Sequence, residues 1–156
     1  MTTKIHRLFF ILMMTLLGGC GEVKRINPPL ASIQQLSVMP NGQWQLELRI
    51  QNFSNVTMHY TGLTAQLELE KILVGVIETS LNIDIPGESA EVITVSLTPP
   101  KEAQSLLDST KNQQSNEIGI LYSLQGSIRS NDTKNQYSFE RQSRLNPVPG
   151  LPNVYR

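Results

Sequence analysis

Residues 44–51 read WQLELRIQ. Trp44, Leu46, Leu48 and Ile50 take alternate positions, with Gln45, Glu47, Arg49 and Gln51 between them. Successive side chains of an extended chain project to opposite faces, so this alternation predicts a half-buried β-strand. Trp44 is in phase with the leucines and is expected in the core. Just upstream, Pro40-Asn41-Gly42 is a turn signal that joins the strand to residues 30–39 as a hairpin.

The same pattern recurs downstream. Leu63, Ala65, Leu67 and Leu69 alternate with Thr64, Gln66, Glu68 and Glu70. Residues 72–77 form an apolar run interrupted by Gly75, which predicts a bulge or a close approach there. Leu81, Ile83 and Ile85 alternate with Asn82 and Asp84, and Pro86-Gly87 turns the chain. Ile93, Val95 and Leu97 mark another strand. Ile118, Ile120, Tyr122 and Leu124 mark the next, which runs on toward Ile128. Asn131-Asp132-Thr133-Lys134 reads as a polar turn, and Tyr137 and Phe139 carry the last strand.

One segment departs from this period. Pro99-Pro100 stops a strand, and residues 101–109 (KEAQSLLDS) place Ala103, Leu106 and Leu107 at helical spacing. A short helix across an open end of the sheets is expected. Residues 111–116 read as a polar loop. Residues 146–156 hold Pro147, Pro149 and Pro152 and are expected to pack, extended, along the domain without joining a sheet. Seven or eight short strands with one helix predict an all-β fold, an antiparallel immunoglobulin- or fibronectin-like β-sandwich. Cys20 is the only cysteine, so no internal disulfide can form and the immunoglobulin hallmark is absent. Fibronectin-like wiring and other Greek-key wirings both fit the pattern.

The start of the chain has another character. Lys4 and Arg7 precede an uncharged, mostly apolar run over residues 8–17, and Leu17-Gly18-Gly19-Cys20 follows. The run is too short to span a bilayer and suits a secretory signal peptide. The string resembles the lipobox of bacterial lipoproteins. That resemblance implies cleavage before Cys20 and acylation of its thiol and new amino terminus. Two or three chains on one residue hold a protein stably, at about 0.8 kcal/mol per buried methylene. Gly21, where an aspartate would signal inner-membrane retention, favours the inner leaflet of the outer membrane, facing the periplasm. The chain then divides into a signal peptide (1–19), a lipidated cysteine and tether (20–29), a β-sandwich domain (30–145) and a Pro-rich tail (146–156). About nine extended residues of tether would reach roughly 30 Å.

Removing residues 1–19 leaves 137 residues, enough for one domain with an ordinary core. The remaining 11 basic and 13 acidic side chains give no electrostatic case for nucleic acid or for an anionic membrane surface.

The order of motifs is also specific. LELRIQNFSN (46–55) precedes YTGLTAQLELEKILVGVIETS (60–80) and IDIPGESAEVITVSL (83–97). Asn52, Gly62, Leu63, Gly75, Pro86 and Gly87 fall in the order seen in the type 2 late-embryogenesis-abundant family, the water stress and hypersensitive response domain, which this chain resembles over residues 30–139. The departure is at Phe53-Ser54, where that family usually has proline; Asn52 and Asn55 can still form Asx-type turns. The resemblance implies a β-sandwich with one helix, a role in desiccation and stress, and no catalytic residues.

Candidate chemistry is sparse. His59 is the one histidine left after residue 19, so neither a metal site nor a Ser-His-Asp triad is expected. Glu68 and Glu70 share a strand face as paired acids do in glycosidases, but they read as a solvated face. Asn55-Val56-Thr57 and Asn131-Asp132-Thr133 match the glycosylation sequon and read as turns. Trp44, Tyr60, Tyr137 and Tyr155 could form a binding surface, with Tyr155 exposed in the tail. No catalytic, cofactor or metal-binding residue is assigned, and lipidation at Cys20 is the one modification. The expected function is a non-enzymatic, membrane-anchored envelope protein acting in stress protection or binding. The alternative is an assembly subunit that holds an envelope protein partner through an edge strand or the tail.

Overall fold

A computed structural model describes residues 23–111, 119–132 and 134–156. Eight strands and one helix are found there: β1 (Leu30–Val38), β2 (Trp44–Gln51), β3 (Met58–Leu69), β4 (Ile72–Ile85), β5 (Ala90–Leu97), α1 (Lys101–Lys111), β6 (Ile120–Ser130), β7 (Gln136–Leu145) and β8 (Val154–Tyr155). The strands form two four-stranded antiparallel sheets, ordered β5-β2-β1-β8 and β4-β3-β6-β7. The fourth strand pairs with the third, and the fifth crosses over to pair with the second. A constant-type immunoglobulin domain puts its fourth strand beside the fifth. The wiring left open by the sequence is therefore fibronectin-like.

The alternation of 44–51 becomes burial. Trp44, Leu46, Leu48 and Ile50 are fully buried, and β2 sits between β1 and β5 with Leu48 opposite Ile33 and Ile93. Facing it, Leu63, Ala65, Leu67 and Leu69 of β3 and Leu124 and Ile128 of β6 complete the core between the layers. The helix buries Ala103 and Leu107, as its spacing predicts.

Two strands differ from the pattern reading. β3 starts at Met58, earlier than the alternation from Leu63 suggests. Its register against both neighbours shifts between Tyr60 and Gly62, so Met58 and Tyr60 are buried in one phase and Leu63 onward in the other. The bulge hides the first part of the strand from a period-two reading. Residues 72–85 are one 14-residue strand, not two segments. Its bulge lies at Val74, beside Gly75, where the pairing passes from Leu67–Gly75 to Glu68–Leu73. A Cβ on Gly75 would meet nothing within 4 Å, so the close approach is absent there.

The tail also departs from expectation. It folds back as a hairpin in which Asn146 and Arg156 exchange both backbone hydrogen bonds. Val154 and Tyr155 then pair with Ser37 and Leu36 as an edge strand. Tyr155 is buried, and its hydroxyl donates to the Leu107 carbonyl at 3.3 Å. Pro147 lies in one arm of the hairpin, bridged to Tyr155, and Pro149 and Pro152 lie in its turn, so Val154 and Tyr155 keep the N–H groups that the pairing uses. Trp44, Tyr60 and Tyr137 are buried as well, so the four aromatic residues form no exposed surface.

The β3–β4 turn holds Glu70 at φ 47° and Lys71 at φ 69°. Tight hairpin turns with positive φ at both central residues favour Asn-Gly, and a side chain there is strained. Glu70 is held by its contact with β6, since its backbone N–H donates to the Leu121 carbonyl and its carboxylate accepts from the Leu121 N–H at 2.8 Å. Among the described residues, exposed Lys71 has no such tie. Lys71→Gly is expected to raise stability by about 0.5–1 kcal/mol, read from the urea midpoint at unchanged m-value.

Candidate functional site

The loops 52–57, 86–89 and 131–135 gather at the end of the sandwich where the chain enters β1, since Leu30 is paired with Gln51, which is paired in turn with Ala90. Two of these loops cross between the sheets. Asn52 joins them. It is fully buried, and its side-chain N–H groups donate to the carbonyls of Val56, Ile85 and Pro86 at 2.9, 2.9 and 3.0 Å. Its Oδ1 accepts from the Ser54 N–H at 2.9 Å, an Asx turn. The Asn52 N–H donates to the Ser89 carbonyl and the Glu88 N–H to the Ser54 carbonyl. The approach is close enough that a Cβ on Gly87 would lie 2.6 Å from the Asn55 carbonyl carbon. Only glycine fits there.

Three of the six motif residues, Asn52, Pro86 and Gly87, thus meet in space. The others do not. Leu63 is core, and Gly62 lies at the β3 bulge, where a Cβ would fall 2.4 Å from the Arg129 guanidinium. Gly75 is at the far end of β4. Cys20 lies outside the described residues, as do Ile118 and the loop 112–118.

Residues 23–27 run along the same loop. The Arg25 N–H donates to Asn55 Oδ1 at 2.7 Å, and Asn55 Nδ2 donates to the Val23 carbonyl at 2.9 Å. The Asn27 N–H donates to Ser54 Oγ at 3.0 Å, and Asn27 Nδ2 donates to the Phe53 carbonyl at 2.7 Å. Ser54 is fully buried, and its hydroxyl donates to the Asn27 carbonyl. A serine at this point secures by hydrogen bonding what a proline would secure by a fixed φ. The second half of the expected tether is therefore bound to the domain.

A second cluster adjoins the first. Asp132 accepts from the Lys134 and Asn135 N–H groups and closely from the Tyr137 hydroxyl. Burial alone would raise its pKa, but hydrogen bonds from Tyr137, Ser130, Asn135 and Lys134 hold it below the usual carboxylate range. Tyr60 is pushed up to about 12, first by burial and then by the charge of Asp132. Tyr137 is raised by burial, by its bond to Asp132 and by the charges of Asp132 and Tyr60. The Lys134 ammonium lies 5.1 Å from the centre of the Tyr137 ring. These pKa values move away from neutrality, whereas an acid or base in catalysis is tuned toward it. The cluster locks the β6–β7 turn. The spacing Asp132 to Tyr137 across a turn was its only trace in the sequence.

Elsewhere, His59 Nδ1 lies 2.7 Å from Asp84 Oδ1 on the adjoining strand, half exposed. Among the described residues no hydroxyl or thiol bonds to its ring, and no group of three or more potential ligands could hold a metal. Glu68 is half-buried and bonded to Gln66, and Glu70 caps β6, so the two do not act as a pair. A hollow of about 430 Å³ lies against the tail hairpin, lined by residues such as Pro147, Leu151 and Pro152, with no carboxylate, imidazole, thiol or amine in its wall.

No family model and no curated protein matches the chain. Solved structures do. A protein from Archaeoglobus fulgidus is 14% identical with a TM-score of 0.43, covering 80% of this chain and 98% of that one. AT1g01470 from Arabidopsis thaliana is 8% identical with a TM-score of 0.47, covering 81% and 83%. At2g46140.1, provisionally named a late embryogenesis abundant (LEA) protein, is 12% identical with a TM-score of 0.39, covering 91% and 80%. Likenesses at this level assign no activity.

Two outcomes are expected. Asn52→Ala leaves the buried Ile85 carbonyl and the partly buried carbonyls of Val56 and Pro86 short of a donor and should cost about 2–4 kcal/mol by chemical denaturation. Tyr60 has a buried hydroxyl with no hydrogen-bond partner among the described residues. Its raised pKa favours the neutral phenol in the folded state, so that contribution is full below pH 10 and is lost as pH rises toward 12. Tyr60→Phe should therefore be at least as stable at pH 7 and lose less stability between pH 9 and 11.5, measured by urea midpoints.

Proposed function

We propose that this chain is a lipid-anchored envelope protein whose sandwich works without chemistry of its own, in the manner of the type 2 late-embryogenesis-abundant proteins it resembles. Cys20 carries the acyl chains, and the domain faces the periplasm from the inner leaflet of the outer membrane. The observation that carries this reading is the string Leu17-Gly18-Gly19-Cys20 behind a short apolar run. The domain adds support of its own kind. Asn52, Pro86 and Gly87, three residues of the shared motif, form one hydrogen-bonded node at the end where the anchor enters. Among the described residues, no helix is long and apolar enough to cross a membrane.

The role is protection of the envelope under water stress. A second reading, an assembly subunit, is favoured by β4. This edge strand of 14 residues exposes Leu73 and Val76 beside unpaired backbone. The tail is the weaker handle for a partner, since Val154 and Tyr155 already pair with β1.

Labelled palmitate should enter the wild-type protein and not Cys20→Ser, which should leave the outer-membrane fraction or remain uncleaved. Incorporation of label into the variant overturns the anchor. A deletion strain should survive drying less well, with rescue by wild type and not by Cys20→Ser; unaltered survival overturns the protective role.

A further inference from the structure

We propose that the end of the sandwich at which the chain enters is a lipid-contacting face, with Phe53 and Val23 meeting the bilayer surface. This rests on Cys20 being the acylated residue. The argument is one of length. Residues 23–27 are laid along the 53–55 loop by hydrogen bonds from Arg25, Asn27, Ser54 and Asn55, so the chain from Val23 onward is part of the domain. Only Gly21 and Glu22 separate Cys20 from Val23, and the three Cα-to-Cα steps span at most about 11 Å. An acylated cysteine lies at the headgroup level, and one headgroup layer is roughly 5–8 Å thick. The domain cannot stand off on such a leash, and only one end of it can face the lipid.

That end carries suitable side chains. Val23 is 81% exposed and Phe53 44% exposed, on two segments tied together through Asn27 and Asn55. Lys24 and Arg25 lie between them in sequence, placed to meet lipid phosphates. Arg25 also pairs loosely with Glu88 at 3.5 Å, and the facing acids Asp84 and Asp132 are engaged by His59 and Tyr137. Of the other exposed apolar side chains, Met39, Leu73 and Leu151 lie at the opposite end, where this leash cannot bring them to the membrane, and Val76 and Val92 lie within the edge strands β4 and β5. The apolar pair and its basic neighbours have the composition of an interfacial contact. The bilayer is therefore the occupant of this face.

Acylation consumes the only native thiol, so an introduced cysteine is a unique labelling point. Full-length Phe53→Cys, Val23→Cys and Met39→Cys proteins, purified from membranes and labelled with a polarity-sensitive fluorophore, are reconstituted into vesicles of phosphatidylethanolamine and phosphatidylglycerol. Nitroxide lipids labelled near the headgroup serve as quenchers, and mass spectrometry reports the acyl chains on Cys20. Labels at 53 and 23 should be quenched at least twofold more than the label at 39. Equal quenching at the three positions, with Cys20 acylated, overturns the lipid face and leaves the anchor standing. A chain without acyl groups on Cys20 overturns both. Quenching at 23 without quenching at 53 overturns the assignment of Phe53.

Discussion

Two sheets joined without a disulfide must be fastened where the chain crosses between them, and in this protein that fastening is the buried amide of Asn52. The crossing from β2 to β3 and the crossing from β4 to β5 lie side by side at one end. Asn52 donates to the last carbonyls of β4 and to the loop of its own crossing, and its Oδ1 holds the Ser54 N–H. Two of these groups are buried and two partly buried, and one side chain supplies a partner for all four. Gly87 permits the backbone approach that the amide requires. The rest of that end depends on this arrangement. Ser54, positioned by Asn52, in turn receives Asn27, and the entering chain is bound to the domain.

This chain of contacts binds the entering segment to the domain. The segment assigned as a tether over residues 20–29 is bound to the domain over residues 23–27. Polarity indicates that a segment has little to bury, but it is silent on whether the backbone finds hydrogen-bond partners. Asn27 and Asn55 satisfy those partners at long sequence separation, between residues 23–27 and 53–55. Under the proposed anchoring, such an entry would set both the height and the orientation of the domain, which a flexible one would leave to diffusion.

The cluster of Asp132, Tyr60 and Tyr137 illustrates the difference between an unusual environment and an active one. Its groups are perturbed because a turn is tightly closed against a buried phenol. The carboxylate is driven down and the phenols up, so none is poised to exchange a proton near neutrality. Similarly, the His59–Asp84 contact follows from their being opposite each other across β3 and β4.

Much of the molecule was legible in the residues alone. The alternation at 44–51 determined a half-buried strand with Trp44 inside, and Pro40-Asn41-Gly42 placed its hairpin. The spacing of Ala103 and Leu107 determined the helix. Those readings succeed because the period of the buried face is local, written over a handful of neighbours. Where the backbone slips by one residue, at Tyr60–Gly62 and at Val74, the period breaks and the extents of β3 and β4 were lost with it. Only the tertiary structure decided that β4 joins β3, that the tail closes as β8, and that Asn52, Ser54 and Gly87 meet the entering chain. Each of those is a pairing between distant segments, set by which backbone groups remain to be satisfied once the core has formed, and no local pattern records it.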